Sequence, residues 1–475
     1  MDQEKLILEF KKIKDSMEDL ENLLMNHIDG VTEVNMKDED KDEVSENTEL
    51  VIDEDDMHEI TQTVYEYFDE YFESESLTMS SPIFYDKMFD DIIQMTFDML
   101  IESKLCQDYH YDDIVEMVHE IYDNYKEFNE VPERSISLMN DKTPELTEDD
   151  MSELSQKIEL LSEIPQPQQR TKEWYEFRHG LISASNIWKA FGSESQQNSL
   201  IYEKCCPLGD VSTKENSYVN TESALHWGVK YEPVTVMIYE DMFNTEVGEF
   251  GCIQHPEYPF IGASPDGINI DPESKRFGRM VEIKNVVNRE LTGIPKEDYW
   301  IQTQVQMETC DLEECDFIET KFLEYQDEVS FYQDESKDYK GVMLHFIERD
   351  NEFCKPTYMY MPLSVELNKE SINEWIGKQK LNMSQENKVL LNTIYWYLEE
   401  YSCVVIKRNR LWFSKALPIV KDIWNTILKE RVDGYEHRAA KKRSPSIVLA
   451  SEDGDTKHIR TDSQKNGICL VKLDF

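Results

Sequence analysis

Residues 260–285 constrain the fold more than any other stretch, because their spacing demands a sheet. Phe260-Ile261-Gly262-Ala263 is apolar and small, and Ser264-Pro265-Asp266-Gly267 ends it as a turn. Met280-Val281-Glu282-Ile283-Lys284-Asn285 has strand composition, and a period of two puts Glu282 and Lys284 on one face. The stretch 271–278 reads as a hairpin loop, so the expected strand pair joins 260–263 to 280–284 and gathers Asp266, Glu282 and Lys284 at one end. Two carboxylates can hold a hard divalent cation through oxygen, and Mg2+ keeps waters that can attack a phosphodiester. A neighbouring lysine can orient such a water or stabilise charge developing on phosphate. The competing reading of the same residues is an edge strand carrying a solvated ion pair.

Charge divides the chain. The formal net charge is −49 over 475 residues, and residues 1–165 hold 48 acidic and 12 basic side chains, a net of −36 that leaves −13 for the rest. Phosphate binding needs positive surface, which argues against the first third as a nucleic-acid surface and leaves the remainder open. Nine cysteines, scattered without CxxC pairs, fit free thiols in a reducing compartment. Acidic residues stand within the first four positions, no apolar signal core follows, and no run reaches the length of a membrane span. The expectation is a soluble, intracellular protein with no membrane partner.

The length allows two or three domains, and five segments are expected. Residues 1–57 combine an amphipathic helix at 4–26 with an acidic linker at 38–56. Residues 58–165 form an acidic all-α module of three or four helices over 58–128, a second linker at 129–147, and a helix over 148–163 capped by Thr147. This acidic third reads either as a partner-binding appendage or as a mimic of DNA charge. Residues 166–365 form an α/β domain with a central mixed sheet, with strands at 247–254, 259–264, 316–324, 340–348 and 356–362. Residues 366–446 read as a helical basic extension, and 447–475 as a polar tail. Between Cys403 and Ser444 eleven basic residues face four acidic ones, with Trp412, Phe413 and Trp424 nearby. That excess reads as a nucleic-acid footprint or as the counter-charge of the acidic third.

Within 166–365 a helix over 169–178 breaks at Gly180, and Ser183 or Ser185 can cap the next. Small hydroxyl residues at a helix start, close to Arg178, suit a phosphate. Glu232 lies among apolar neighbours in a helix over 220–241, either at its surface or turned inward as a third carboxylate. Tyr299, Gln302 and Gln306 share one face of a following helix, which Gln304 cannot share.

In this order the pieces resemble the lambda-exonuclease-like nucleases, the YqaJ-type viral recombinase family of the PD-(D/E)xK superfamily. The resemblance covers 168–325 and rests on Arg170-Thr171 with Trp174 and Arg178, Ile182-Ser183-Ala184-Ser185, Gly228 with Glu232-Pro233, Ser264-Pro265-Asp266-Gly267, Glu282-Ile283-Lys284, and Tyr299 with Gln302. It implies a restriction-endonuclease-like α/β core, a central mixed sheet flanked by helices, here with helical N- and C-terminal extensions. It implies that Asp266, Glu282 and the Ile283 carbonyl ligate Mg2+, for which Mn2+ can substitute. Lys284 would position the attacking water, and Glu232 would serve the metal site. Arg178 and Ser185 would take a terminal phosphate, with Tyr299 and Gln302 supporting the site. The implied function is a Mg2+-dependent DNA exonuclease acting on linear duplex ends in viral-type recombination, replication or repair. A single-strand-annealing recombinase and a homotrimer are the implied partners, in host cytoplasm or nucleus if the source is viral. Fold does not fix substrate, so a structure-specific endonuclease, an RNA-degrading nuclease and a non-catalytic DNA-end-binding scaffold are the alternatives.

Overall fold

The computed structural model describes residues 50, 52–141, 144–167, 169, 171–209, 220–221, 223–348 and 356–440. The expected helix at 4–26, most of the acidic linker, Arg170, Lys441-Lys442-Arg443 and the 447–475 tail lie outside the described residues.

Helices α1 (Glu54–Ser74), α2 (Phe84–Glu102) and α3 (Tyr111–Phe128) open the described chain. Apolar residues at three- and four-residue spacing bury Val64, Phe68, Met88, Ile92, Ile114 and Val118 between them. Asp53 caps α1 by accepting from the Asp56 amide at 2.8 Å, so the helix starts earlier than expected.

The stretch 129–147, expected to be a linker, is built into the molecule. Its strand β1 (Ile136–Ser137) joins the main sheet. Arg134 is buried, and its guanidinium donates to the Ser80 carbonyl at 3.0 and 3.1 Å and to the Pro295 carbonyl. The Trp300 indole donates in turn to the Arg134 carbonyl at 2.8 Å, and Ser80 Oγ donates to Glu297 at 2.9 Å. One apolar cluster runs without a break from Ile60 and Phe68 through Trp300 to Trp412. The acidic module is therefore packed on the α/β core through shared hydrophobic surface. Arg134→Met is expected to lower stability by about 2–4 kcal/mol, because it strands two buried carbonyls, and urea unfolding of the full chain measures it.

Next come α4 (Glu148–Glu163), with the expected Thr147 cap closed into a box by Asp150, α5 (Lys172–His179), β2 (Ile182–Ser183), α6 (Ala184–Ile187) and α7 (Glu194–Cys205). They are followed by α8 (Ala224–Phe243), β3 (Val247–Gly248), β4 (Ile253–Gln254), β5 (Ile261–Ala263), β6 (Gly267–Asn269) and β7 (Met280–Asn285). The rest comprises α9 (Glu297–Cys310), β8 (Glu314–Glu324), α10 (Glu328–Gln333), β9 (Lys340–Glu348), β10 (Thr357–Tyr360), α11 (Lys369–Gln385), β11 (Lys388–Lys407) and α12 (Arg410–Asp433).

The main sheet runs β10-β9-β11-β8-β7-β6-β3, with β1 on the far end of β11. It is antiparallel except for β7 and β8, which are parallel with Glu282 beside Phe317 and Lys284 beside Glu319. A second sheet, β2-β5-β4, pairs β2 parallel to β5 and β4 antiparallel to it. The expected α/β class with a mixed sheet flanked by helices is what forms. Among the described residues no helix is long and apolar enough to cross a membrane.

Three expectations are corrected here. The stretch 247–254 is two strands in two different sheets, β3 on β6 and β4 on β5. The partner of β7 is β6 rather than β5, with Gly267 opposite Val281. The helical reading of 366–446 fails at β11, a twenty-residue strand in the middle of the main sheet. Register shifts at Leu391 and Glu399 break its alternation. Two such bulges turn a period of two into clusters that mimic helical spacing.

The described arginines of the basic C-terminal segment have partners within the molecule, while Lys407, Lys415, Lys421 and Lys429 are exposed. Arg408 pairs with Glu308, Asp311 and Glu313, Arg410 with Glu313, and Arg438 with Glu430. Trp412 is buried against Trp300, with ring centroids 5.4 Å apart, and Trp424 stacks on Phe260. These aromatics pack the core, and the acids paired with the arginines lie outside the first third.

Candidate active site

The two sheets part at Asp266. Chain leaving β5 in the second sheet passes through Ser264-Pro265-Asp266 and enters β6 in the main sheet, so the turn sits in the notch between them. Gly267 is required there, since a Cβ would lie 2.1 Å from Val247 Cγ1. At the other end of the β6–β7 hairpin, Gly278 takes φ +80°, which favours glycine. Beyond Gly267 the β6–β7 ladder ends, and the Asp266 carboxylate takes the next rung by accepting from the Ile283 amide at 2.7 Å. A residue's N–H and C=O point to the same strand edge, so the Ile283 carbonyl also faces the Asp266 side.

Glu282 is buried and held from both sides. Its Oε1 accepts from Gln302 Nε2 at 2.7 Å and from Lys284 Nζ, and its Oε2 accepts from Gln306 Nε2 at 2.7 Å. Gln306 also donates to the Ser264 carbonyl at 3.1 Å, which ties the Asp266 turn to Glu282. Gln304, on the opposite face of α9, donates to the Lys407 carbonyl at 2.9 Å and accepts from the Asn409 amide at 2.7 Å. The glutamines thus split between two faces as their spacing requires. Tyr299 lies one turn before Gln302, its ring centroid 4.9 Å from Lys284 Nζ. That is cation–π range for a lysine that also donates to Gln302 Oε1 at 3.3 Å.

Glu232 sits on α8, which is fastened to β7 on either side of it. Asn285 Nδ2 donates to the Gly228 carbonyl at 3.0 Å, and Thr235 Oγ1 donates to Asn285 Oδ1 at 2.8 Å. Burial, then the charge of Glu282 and to a lesser degree that of Glu232, push Asp266 well above the usual carboxylate range, while Lys284 and the Ile283 amide pull the other way. Burial disfavours the Lys284 ammonium, but Glu282 and Asp266 outweigh it and hold the group above its ordinary value. Acid therefore outnumbers base in the notch.

That imbalance suits a hard cation. Two buried oxygens beside Glu282, Ser264 Oγ and Gln306 Oε1, have no hydrogen-bond partner. Among the described residues no three His, Cys, Asp or Glu side chains form a metal cage. Two carboxylates and a carbonyl, with water completing the shell, is a donor set that fits Mg2+.

Arg178 and Ser185 also come together. Arg178 Nη2 donates to Ser185 Oγ at 3.4 Å, with the guanidinium stacked 4.7 Å from the Trp174 ring centroid. Neither Ser183 nor Ser185 caps α6 through its side chain, a correction explained by their mutual contact at 3.2 Å. The parallel pairing of Ser183 with Gly262 sets Ser185 and Ser264 each two residues beyond that pair. The pocket and the notch therefore open from the same end of the second sheet. Periodicity put Gln306 beside Gln302 without assigning it a contact. Asn186, Lys189, Glu203 and Lys204, a polar cluster tied to the Arg178 carbonyl through Lys204, carry no sequence motif.

Residues 173–313 match the model of the YqaJ-like viral recombinase domain. The matched residues fall within the 168–325 stretch where the motifs lie. Strands β8, β9, β10 and β11 fall beyond the matched residues, as do the N-terminal module and α12. Over 308 residues the chain is 29% identical to an uncharacterized protein, R354, of Acanthamoeba polyphaga mimivirus, covering 57% of this chain and 54% of that one. The chain thus spans about half the length of that curated relative. Among solved structures, an alkaline exonuclease from Laribacter hongkongensis (LHK-Exo) aligns at 18% identity over 55% of this chain and 94% of its own, with TM-score 0.32. The LHK-Exo complex with dAMP aligns over the same shares at 19% identity and TM-score 0.32.

Proposed function

We infer that the chain is a Mg2+-dependent deoxyribonuclease that degrades linear duplex DNA from its ends. The observation that carries this reading is the notch at Asp266, where Glu282, Lys284 and the Ile283 main chain converge and two glutamines fix Glu282. Mg2+ held by Asp266, Glu282 and the Ile283 carbonyl would supply an acidified water and polarise the phosphate, and Mn2+ would substitute. Lys284 would orient that water and offset charge gathering on the phosphate oxygens. Glu232 would serve the metal site from α8. Arg178 and Ser185 would hold the terminal phosphate, so the scissile bond next to it lies at the notch. Tyr299 and Gln302 would keep Lys284 and Glu282 in place. The YqaJ-like domain supports a DNA exonuclease of viral recombination type.

The test uses purified protein and Mg2+ with 5′-phosphorylated linear duplex, closed circular DNA, single strands and RNA, alongside Lys284→Ala. Nucleotide release from the linear duplex is expected, reduced by about 10²–10³ in the variant. Cleavage of closed circles would replace the reading with an endonuclease, and cleavage of RNA alone with a ribonuclease. End binding without cleavage would leave a DNA-end scaffold.

A further inference from the structure

Lys189 and Lys204, the second of which holds the Arg178 carbonyl, share one loosely held carboxylate. Glu203, on α7, lies 3.4 Å from Asn186 Nδ2, 3.6 Å from Lys189 Nζ and 3.9 Å from Lys204 Nζ. Charge-assisted hydrogen bonds close to about 2.7–2.9 Å, so Glu203 is spread over three donors and bound tightly by none. Arg178, whose own contact to Ser185 is a long 3.4 Å, makes no ion pair among the described residues.

One of these groups cannot easily turn away. Lys204 is buried, and its ammonium donates to the Arg178 carbonyl at 2.9 Å. Behind it, Arg431 of α12 donates to the Lys204 carbonyl at 2.7 and 2.9 Å and to the His179 carbonyl at 2.7 Å. One guanidinium thus closes the C-terminal ends of α5 and α7, where helix carbonyls lack partners. Burial brings Lys204 down to about 8, against the pull of Glu203 and with the push of Arg178 and Arg431. Among the described residues Glu203 is the one carboxylate paired with Lys189 and Lys204, in a chain whose net charge is −49. Glu203 itself is mobile in principle, with 47% of its side chain exposed.

We propose that Glu203 is a resident counter-ion of Lys189 and Lys204, held beside the Arg178 and Ser185 pocket until a terminal phosphate displaces it. This rests on the reading of Arg178 and Ser185 as the terminal-phosphate pocket. A terminal phosphate carries nearly two charges and three acceptor oxygens, against one charge and two oxygens for the carboxylate. It can satisfy donors that Glu203 reaches only at 3.4–3.9 Å. Glu203 then turns to solvent, where its charge is well hydrated. The carboxylate offsets the repulsion between Lys189 and Lys204 in the DNA-free protein, and it lowers affinity for phosphorylated ends by competing with them.

The test is the Kd of the full chain, in EDTA at fixed ionic strength, for one duplex bearing either a 5′-phosphate or a 5′-hydroxyl. Fluorescence anisotropy reads the ratio of the two constants in the wild type, Glu203→Gln, Glu203→Ala and Arg178→Ala. Both Glu203 variants are expected to widen the ratio in favour of the phosphate by about fivefold. Arg178→Ala is expected to collapse it toward one. Should Arg178→Ala collapse the ratio while both Glu203 variants leave it unchanged or narrow it, Glu203 is an ordinary surface ion pair and the proposal fails. A ratio insensitive to Arg178→Ala would overturn the pocket reading, and this proposal with it.

Discussion

Glu282→Gln is expected to lower kcat on a linear duplex by about 10³-fold or more, with Kd for the DNA end in EDTA little changed. The size follows from how Glu282 is held. Both carboxylate oxygens accept hydrogen bonds, from Gln302 and Lys284 on one and from Gln306 on the other. An amide in that place must turn its NH2 toward a donor, so the substitution loses a negative charge and sets two donors against each other. The shape of the side chain is kept, which separates the loss of chemistry from a loss of packing. Mn2+ binding, followed by calorimetry, is expected to weaken in parallel. A variant that retained turnover within tenfold would remove Glu282 from the chemistry and sink the metal-site reading.

The second large effect concerns stability. Asp316→Ala is expected to cost about 3–5 kcal/mol, because it strands buried guanidinium groups. Asp316 is fully buried on β8, in register with Val281 of β7. It accepts from the Tyr239 hydroxyl at 2.5 Å and pairs with Arg276 and, at 3.4 Å, with Arg279. Arg276 lies over the Phe243 ring of α8, its Cζ 3.6 Å from the centroid, and Arg279 reaches on to Glu314 at 2.6 Å and Asp141 at 2.9 Å. One carboxylate therefore ties the β6–β7 loop, β8 and α8 together behind the site. Urea unfolding measures the loss, and Asp316→Asn, which keeps the acceptor oxygen, is expected to lose less. Equal midpoints for wild type and Asp316→Ala would show that the network contributes nothing.

The site was legible wherever local periodicity decides which residues share a face. Glu282 and Lys284 are two apart on a strand, and Tyr299, Gln302 and Gln306 are three and four apart on a helix, so neighbouring chain alone sets their directions. The Ser-Pro-Asp-Gly turn was legible for the same reason. Arg178 and Ser185 could be brought together because one short connection separates them.

What lay beyond local spacing was misread for identifiable reasons. β11 looked helical because bulges at Leu391 and Glu399 shift its burial pattern twice. The C-terminal charge could be counted in sequence, while the partners of its arginines could not. Arg408 meets Glu308 a hundred residues away, and Arg431 meets the carbonyl of His179. Arg134, in a stretch rich in turn residues, gave no sign of burial, yet it joins Ser80 to Pro295.

The sequence by itself determined the candidate set, Asp266, Glu282 and Lys284 with their supports, because those residues are placed by turns and periods only a few residues long. Only the tertiary structure decided that β6 rather than β5 pairs with β7, that β11 completes the middle of the sheet, and that the acidic module shares the core. Those choices depend on which distant apolar surfaces exclude water together and which buried donors find acceptors. A one-dimensional pattern lists the candidates for such contacts, and the free energy of the packed chain selects among them.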